Sequence, residues 1–171
     1  MIFIKYILIF FILMIFSTIG NLYSKKYVKR VEDLEKMKNM LNVFKAKIKF
    51  TGLTIQEIFS QLYQDNQDNI GEIFKVANEY MNDKSTKDAW NTALDDMKNK
   101  NDLNPEDINV LKSLGKMLGN TDIEGQVSQI ELTENLLNEK IMEAQEAKKK
   151  NAKLYKTLGI ATGLAIAIIL I

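Results

Sequence analysis

Hydrophobic positions fall into three patterns along the chain: two unbroken apolar runs at the ends and a helical periodicity between them. Residues 1–19 carry one charge, Lys5, and the apolar run extends to Tyr23. A helix of this length covers about 30 Å, the hydrocarbon thickness of a bilayer, and Lys5 sits where its stem reaches the lipid surface. The alternative is a cleaved signal peptide. Thr18-Ile19-Gly20 matches a small-x-small cleavage site poorly, and the apolar stretch exceeds a usual signal core. Residues 157–171 form the second run, about 22 Å of helix, lengthened by Leu154 and Tyr155 and flanked by Lys153 and Lys156. Its lack of a polar face argues for lipid rather than for a soluble core.

Between the runs the period is 3.6. Tyr27, Val31, Leu34, Leu41, Phe44 and Ile48 make one stripe on a long first helix. Thr54-x-x-Glu57 has the form of a capping box and opens a second helix with Ile55, Ile58, Phe59 and Leu62. Residues 64–69 are a polar break. Ile70 to Met81 predicts a third helix, and Ser85 or Thr86 opens a fourth through Ala89, Trp90, Ala93, Leu94 and Met97. Asn104 and Pro105 start a fifth, with Glu106 and Asp107 at the positive end of its dipole, ending at Gly119-Asn120. A second box, Thr121-x-x-Glu124, begins a last helix with no breaker from Asp122 to Lys156. Continued through the second apolar run, it would be a rod of about 75 Å. No stretch alternates with period two long enough for a strand.

The expected architecture is therefore all-α. Transmembrane helices over residues 1–23 and 154–171 flank a domain of about six helices over 24–153, the long first and last helices forming a stalk. Lys25, Lys26, Lys29 and Arg30 follow the first span, and Lys148, Lys149, Lys150, Lys153 and Lys156 precede or border the second. The positive-inside rule then puts the middle domain in the cytoplasm and both termini across the membrane.

Charge is sorted along the chain. Residues 25–49 hold nine basic and three acidic groups, residues 140–156 six and two, and residues 50–139 seven and seventeen. The result is a basic stalk and an acidic head in a chain of net charge +1. Such a balance does not suit a nucleic-acid binder. Glu106, Asp107 and Asp122 are candidates for docking a basic partner. Without Cys or His, the 171 residues cannot build a zinc centre of those ligands, a disulfide, a haem axial His or a His-based nucleophile. Neighbouring carboxylates at Asp95-Asp96 and Glu106-Asp107 point about 100° apart on a helix, and Asp65/Asp68 has no partner group; none of these suggests catalysis or a metal site. No phosphate-binding or nucleophile-elbow motif occurs, so no enzymatic activity and no cofactor are expected. Leu114-Gly115…Leu118-Gly119 reads as close packing and a cap. Gly159-x-x-x-Gly163, with Ala161 and Ala165 nearby, suits close approach to the first span or to a partner.

Taken in order, these motifs resemble the stage III sporulation protein AB family. The similarity lies in Lys153-Leu154-Tyr155-Lys156-Thr157-Leu158-Gly159 with Gly163 and the Ile/Leu terminus, in Leu114-Gly115…Leu118-Gly119-x-x-Asp122 with Gln126, in Thr54-Ile55-Gln56-Glu57, in Ala89-Trp90, and in Ile19-Gly20 with Arg30. Ile55 departs from the proline typical there. The resemblance implies a non-enzymatic, oligomeric platform subunit in the mother-cell membrane around the forespore of an endospore-forming bacterium. Its place would be a secretion-like complex, with a cytoplasmic domain similar to type II secretion protein F. Its implied partners are other stage III sporulation proteins, including a cytoplasmic ATPase. A stand-alone membrane-anchored scaffold or sensor remains open beside it.

Overall fold

The computed structural model describes residues 2–119 and 121–170; of Ile2, Ile4, Lys5, Leu8 and Leu170 only the backbone is described. The side chain of Lys5 and the cap expected at Asn120 therefore lie outside the described residues. The fold is all-helical, with no strand among the described residues: α1 Ile2–Phe50, α2 Ile55–Asp65, α3 Gly71–Tyr80, α4 Thr86–Met97, α5 Pro105–Leu114, α6 Ile123–Ala147, a π-helical turn Lys148–Ala152, and α7 Lys153–Leu170. Among the described residues, one helical run, Ile123–Ile169, is long and apolar enough to cross a membrane.

Two compact units share these helices. One is Glu32–Met142, called the head below; the other joins Met1–Val31 with Glu143–Ile171, the apolar hairpin. The unit boundary thus falls within the expected domain 24–153, and both basic flanks go with the hairpin.

Local chemistry sets the helix ends in the head. Thr54 and Glu57 form the reciprocal box: the Thr54 Oγ1 accepts the Glu57 N–H (3.3 Å) and a Glu57 carboxylate oxygen accepts the Thr54 N–H (2.8 Å). The Thr54 hydroxyl also donates to that carboxylate oxygen (2.9 Å), and these two bonds to the carboxylate, the backbone one most, favour its charged form and hold the Glu57 pKa below its ordinary value. Asp68, expected in a polar break and without a partner group, caps α3 by accepting the N–H groups of Ile70 (3.1 Å) and Gly71 (3.0 Å), and it does have a partner, Lys36. Gly71 is required by contact: a Cβ there would overlap the Asn66 carbonyl oxygen. Ser85 caps α4 through the Asp88 N–H.

Two expected ends differ. The α5 helix stops at Leu114, not Gly119, so Leu118 is buried from a turn rather than a helix. Gly119 ends that turn with φ +74°, a conformation that side-chain-bearing residues rarely adopt. At the start of α6, Asp122 rather than Thr121 accepts the Gly125 N–H (2.9 Å). Thr121 instead donates its hydroxyl back to the Met117 carbonyl.

The head core is aromatic at its centre. Phe44, Phe59, Phe74 and Trp90, from four different helices, pack in tilted and edge-to-face pairs with ring centroids 5.1–5.6 Å apart. The Trp90 indole donates to the Leu111 carbonyl at 2.8 Å, which satisfies its one polar atom. Gly115 lies against that indole, where a Cβ would stand 3.0 Å from Cδ1. Met37 and Met40 join the α1 stripe, fully or nearly buried beside Leu34, Leu41 and Phe44. Lys45 of α1 reaches Glu134 of α6 at 2.6 Å and so sets the register of these two helices.

Candidate packing and docking sites

In the hairpin, α1 and α7 run antiparallel and touch through glycine. A Cβ on Gly20 would lie 2.7 Å from the Tyr155 carbonyl oxygen and 3.0 Å from the Gly159 Cα. A Cβ on Gly159 would lie 2.6 Å from the Phe16 carbonyl oxygen and 2.9 Å from the Gly20 Cα. The two backbones are in direct contact here, which no residue larger than glycine permits. Gly163 is looser: its Cβ would meet Leu13 Cδ2 and Phe16 Cβ at 3.3 Å, both side-chain atoms. Ala167 continues this face, and is 5% exposed. Ala161 and Ala165 are exposed, because steps of two leave a helix face that steps of four keep.

Outward from this seam the hairpin is apolar. Phe3, Phe10, Ile168 and Ile169 are 65–84% exposed. A contiguous exposed apolar surface of that kind marks a contact with lipid or with another protein. Next to it Tyr155 stacks on Tyr23 and on Tyr27, each with centroids 5.7 Å apart. Tyrosine in such a place suits the boundary between lipid tails and headgroups.

The basic residues border this zone. Lys25, Lys26, Lys29, Lys149, Lys150, Lys153 and Lys156 are exposed, while Arg30 and Lys148 are half-buried. No acidic residue occurs in residues 24–31 or 147–171. The π turn takes in three of the cluster's lysines, Lys148–Lys150. Nothing in the sequence there breaks an α pattern, and an extra residue per turn has no compositional mark.

The acidic head residues have separate fates. Glu106 is exposed and accepts from Lys140 at 2.7 Å. Asp107 is fully buried: it is the third residue of α5 and completes a capping box with Asn104, whose N–H it accepts at 2.9 Å. Its carboxylate is therefore closed to a docking partner, and the expectation for this residue is corrected. Asp122 is exposed and uses one oxygen as a cap. Asp95 and Asp96 diverge, the first to Lys112 (2.7 and 2.8 Å), the second accepting the Tyr80 hydroxyl (2.6 Å). That hydrogen bond raises the Tyr80 pKa, since it favours the neutral phenol. Among the described residues no three acidic side chains gather as a metal cluster.

The profile of the stage III sporulation protein AB family matches residues 5–171. A relative, stage III sporulation protein AB of Bacillus subtilis (strain 168), is 24% identical over 149 residues, covering 86% of this chain and 87% of the relative. A solved structure of stage III sporulation protein AB (SpoIIIAB) superposes with a TM-score of 0.67 at 20% identity, over 71% of this chain and 98% of that one. The likeness of that structure speaks for the fold.

Proposed function

The chain belongs to the stage III sporulation protein AB family, and on that premise we propose that it is a non-enzymatic platform subunit in the membrane around the forespore. Family membership supports a role in sporulation. The finer reading is a two-span hairpin, closed at Gly20 and Gly159, that holds the helical head in the mother-cell cytoplasm. Both termini then lie across the membrane. The observation that carries it is the direct backbone contact of two apolar helices whose outer faces are exposed, with only basic charges in the flanking residues 24–31 and 147–156. Burying that apolar surface in lipid removes it from water at about 25 cal/mol per Å². The lysine collar meets the anionic cytoplasmic leaflet, worth about 1 kcal/mol for each residue near the surface.

Among the described residues of the head no three acidic side chains gather as a metal cluster, and in this reading a partner supplies the chemistry. A cytoplasmic ATPase of the same complex docks on the acidic surface that includes Glu106 and Asp122. Capture of that ATPase by the full chain in lipid nanodiscs tests this. Reversal of Glu106 and Asp122 to Lys should weaken capture at least several-fold and flatten its dependence on salt, since the screened attraction is gone. Unchanged capture would remove docking from this surface.

A further inference from the structure

Two exposed stripes lie side by side on the head. On α1, Val43 (44% exposed), Ala46 and Phe50 (77%) face solvent, with Lys38 and Lys49 along their edge. They rim a groove of about 540 Å³ lined by Asn42, Val43, Ala46, Lys47, Phe50 and Thr51. On α6, Leu132 (51%) and Met142 (65%) face solvent among Glu124, Glu131 and Glu139, all exposed. Lys49 shares a second groove with Glu124, Val127 and Glu131, which shows that the two stripes are neighbours on one face. Each stripe thus has an apolar centre, but one is basic and the other acidic.

We infer that this face pairs two copies of the chain, the α1 stripe of each lying on the α6 stripe of the other. Charge decides among the arrangements. Laying α1 on a second α1 in parallel sets Lys49 against Lys49. Laying α6 on a second α6 sets Glu131 against Glu131. Only the crossed pairing joins opposite signs, and a two-fold axis along the helices makes it twice. Register agrees. Lys45 binds Glu134 and approaches Glu131 (3.7 Å) within a chain, and a rotation about such an axis leaves every residue at its own height. Ala46 of one copy is then level with Leu132 of the other to within about one turn. Leu132 fills the groove beside Val43 and Phe50, and Lys49 meets Glu131. The contact area is modest, with stripes about 20 Å long. Anchoring both copies in one bilayer compensates by raising their effective concentration.

The pairing goes beyond ATPase docking and needs only that copies share a bilayer and an orientation, which reporter fusions check independently. The chain has no Cys, so introduced thiols report without background. Full-length Ala46→Cys and Leu132→Cys chains with different tags are co-expressed, and their membranes are oxidised. The expected product is a disulfide-linked dimer carrying both tags, in excess over either same-tag dimer. Phe50→Asp in both chains should cut its yield at least five-fold. Because Phe50 is exposed, Trp90 emission should stay unchanged and show an intact head. Same-tag dimers in excess, no dimer, or a yield indifferent to Phe50→Asp each overturn the pairing.

Discussion

One methyl group at Gly159 should loosen the hairpin, whereas one at Gly163 should be tolerated. A Cβ at Gly159 stands 2.6 Å from the Phe16 carbonyl oxygen, and ordinary contact begins near 3.4 Å, so the backbones must part by about 0.8 Å. Backbone atoms cannot turn aside as side chains do. A gap of that size forfeits a quarter to a half of each dispersion well of about 0.1–0.2 kcal/mol. Over roughly 40 atom pairs along the seam, the loss is about 2 kcal/mol, within the range for overpacked sites. At Gly163 the neighbours are side-chain atoms at 3.3 Å, and a shift of a tenth of an ångström suffices; the cost stays below about 0.5 kcal/mol. Dyes on cysteines at Phe10 and Ile168, both exposed, read the separation of α1 and α7 as sodium dodecyl sulfate is titrated into mild-detergent micelles. Gly159→Ala and Gly20→Ala should shift the open-to-closed ratio about 30-fold toward open, and Gly163→Ala less than about three-fold. Equal effects at Gly159 and Gly163, or none at Gly159, would refute glycine contact as the closing element.

Further expectations concern the head. Gly71→Ala should destabilise it by about 2–4 kcal/mol, because the new methyl overlaps a carbonyl of the chain itself; urea titration followed by Trp90 emission measures this. Trp90→Phe strands the Leu111 carbonyl and leaves a void, and should cost about 2–4 kcal/mol by thermal unfolding monitored through circular dichroism. Glu57 has a folded pKa below its ordinary 4.5, so its contribution is present above that value and is lost as pH falls through the lower one. The stability difference between wild type and Glu57→Gln should therefore shrink below pH 4.5 and stay flat above it; a difference independent of pH would contradict the cap.

Much of the head was readable because its periodicity and caps are local. The α1 stripe, the Thr54 box and the Trp90 face each follow from residues within one or two turns. Met37 and Met40 are harder to read as core, since an unbranched thioether marks a core less clearly than Leu or Phe. Asp68 looked like loop polarity because its acceptor role depends on Gly71 turning under Asn66. Asp107 carried its signal three residues after Asn104, yet an acidic first turn is equally explained by the helix dipole. In the hairpin, the small residues of α7 were visible, but Gly20 is their counterpart from the far end of the chain. Pairing across some 140 positions is tertiary information, although a lone glycine in the first apolar run was its trace.

The account stands on which side of the bilayer each part occupies. Reporter fusions at residue 100 and at the C-terminus of the full chain measure this directly. A cytoplasm-dependent reporter should be active at residue 100 and silent at the C-terminus, and an export-dependent reporter the reverse. The same compartment at both positions, or export of residue 100, would contradict the two-span hairpin and every partner placed on its head.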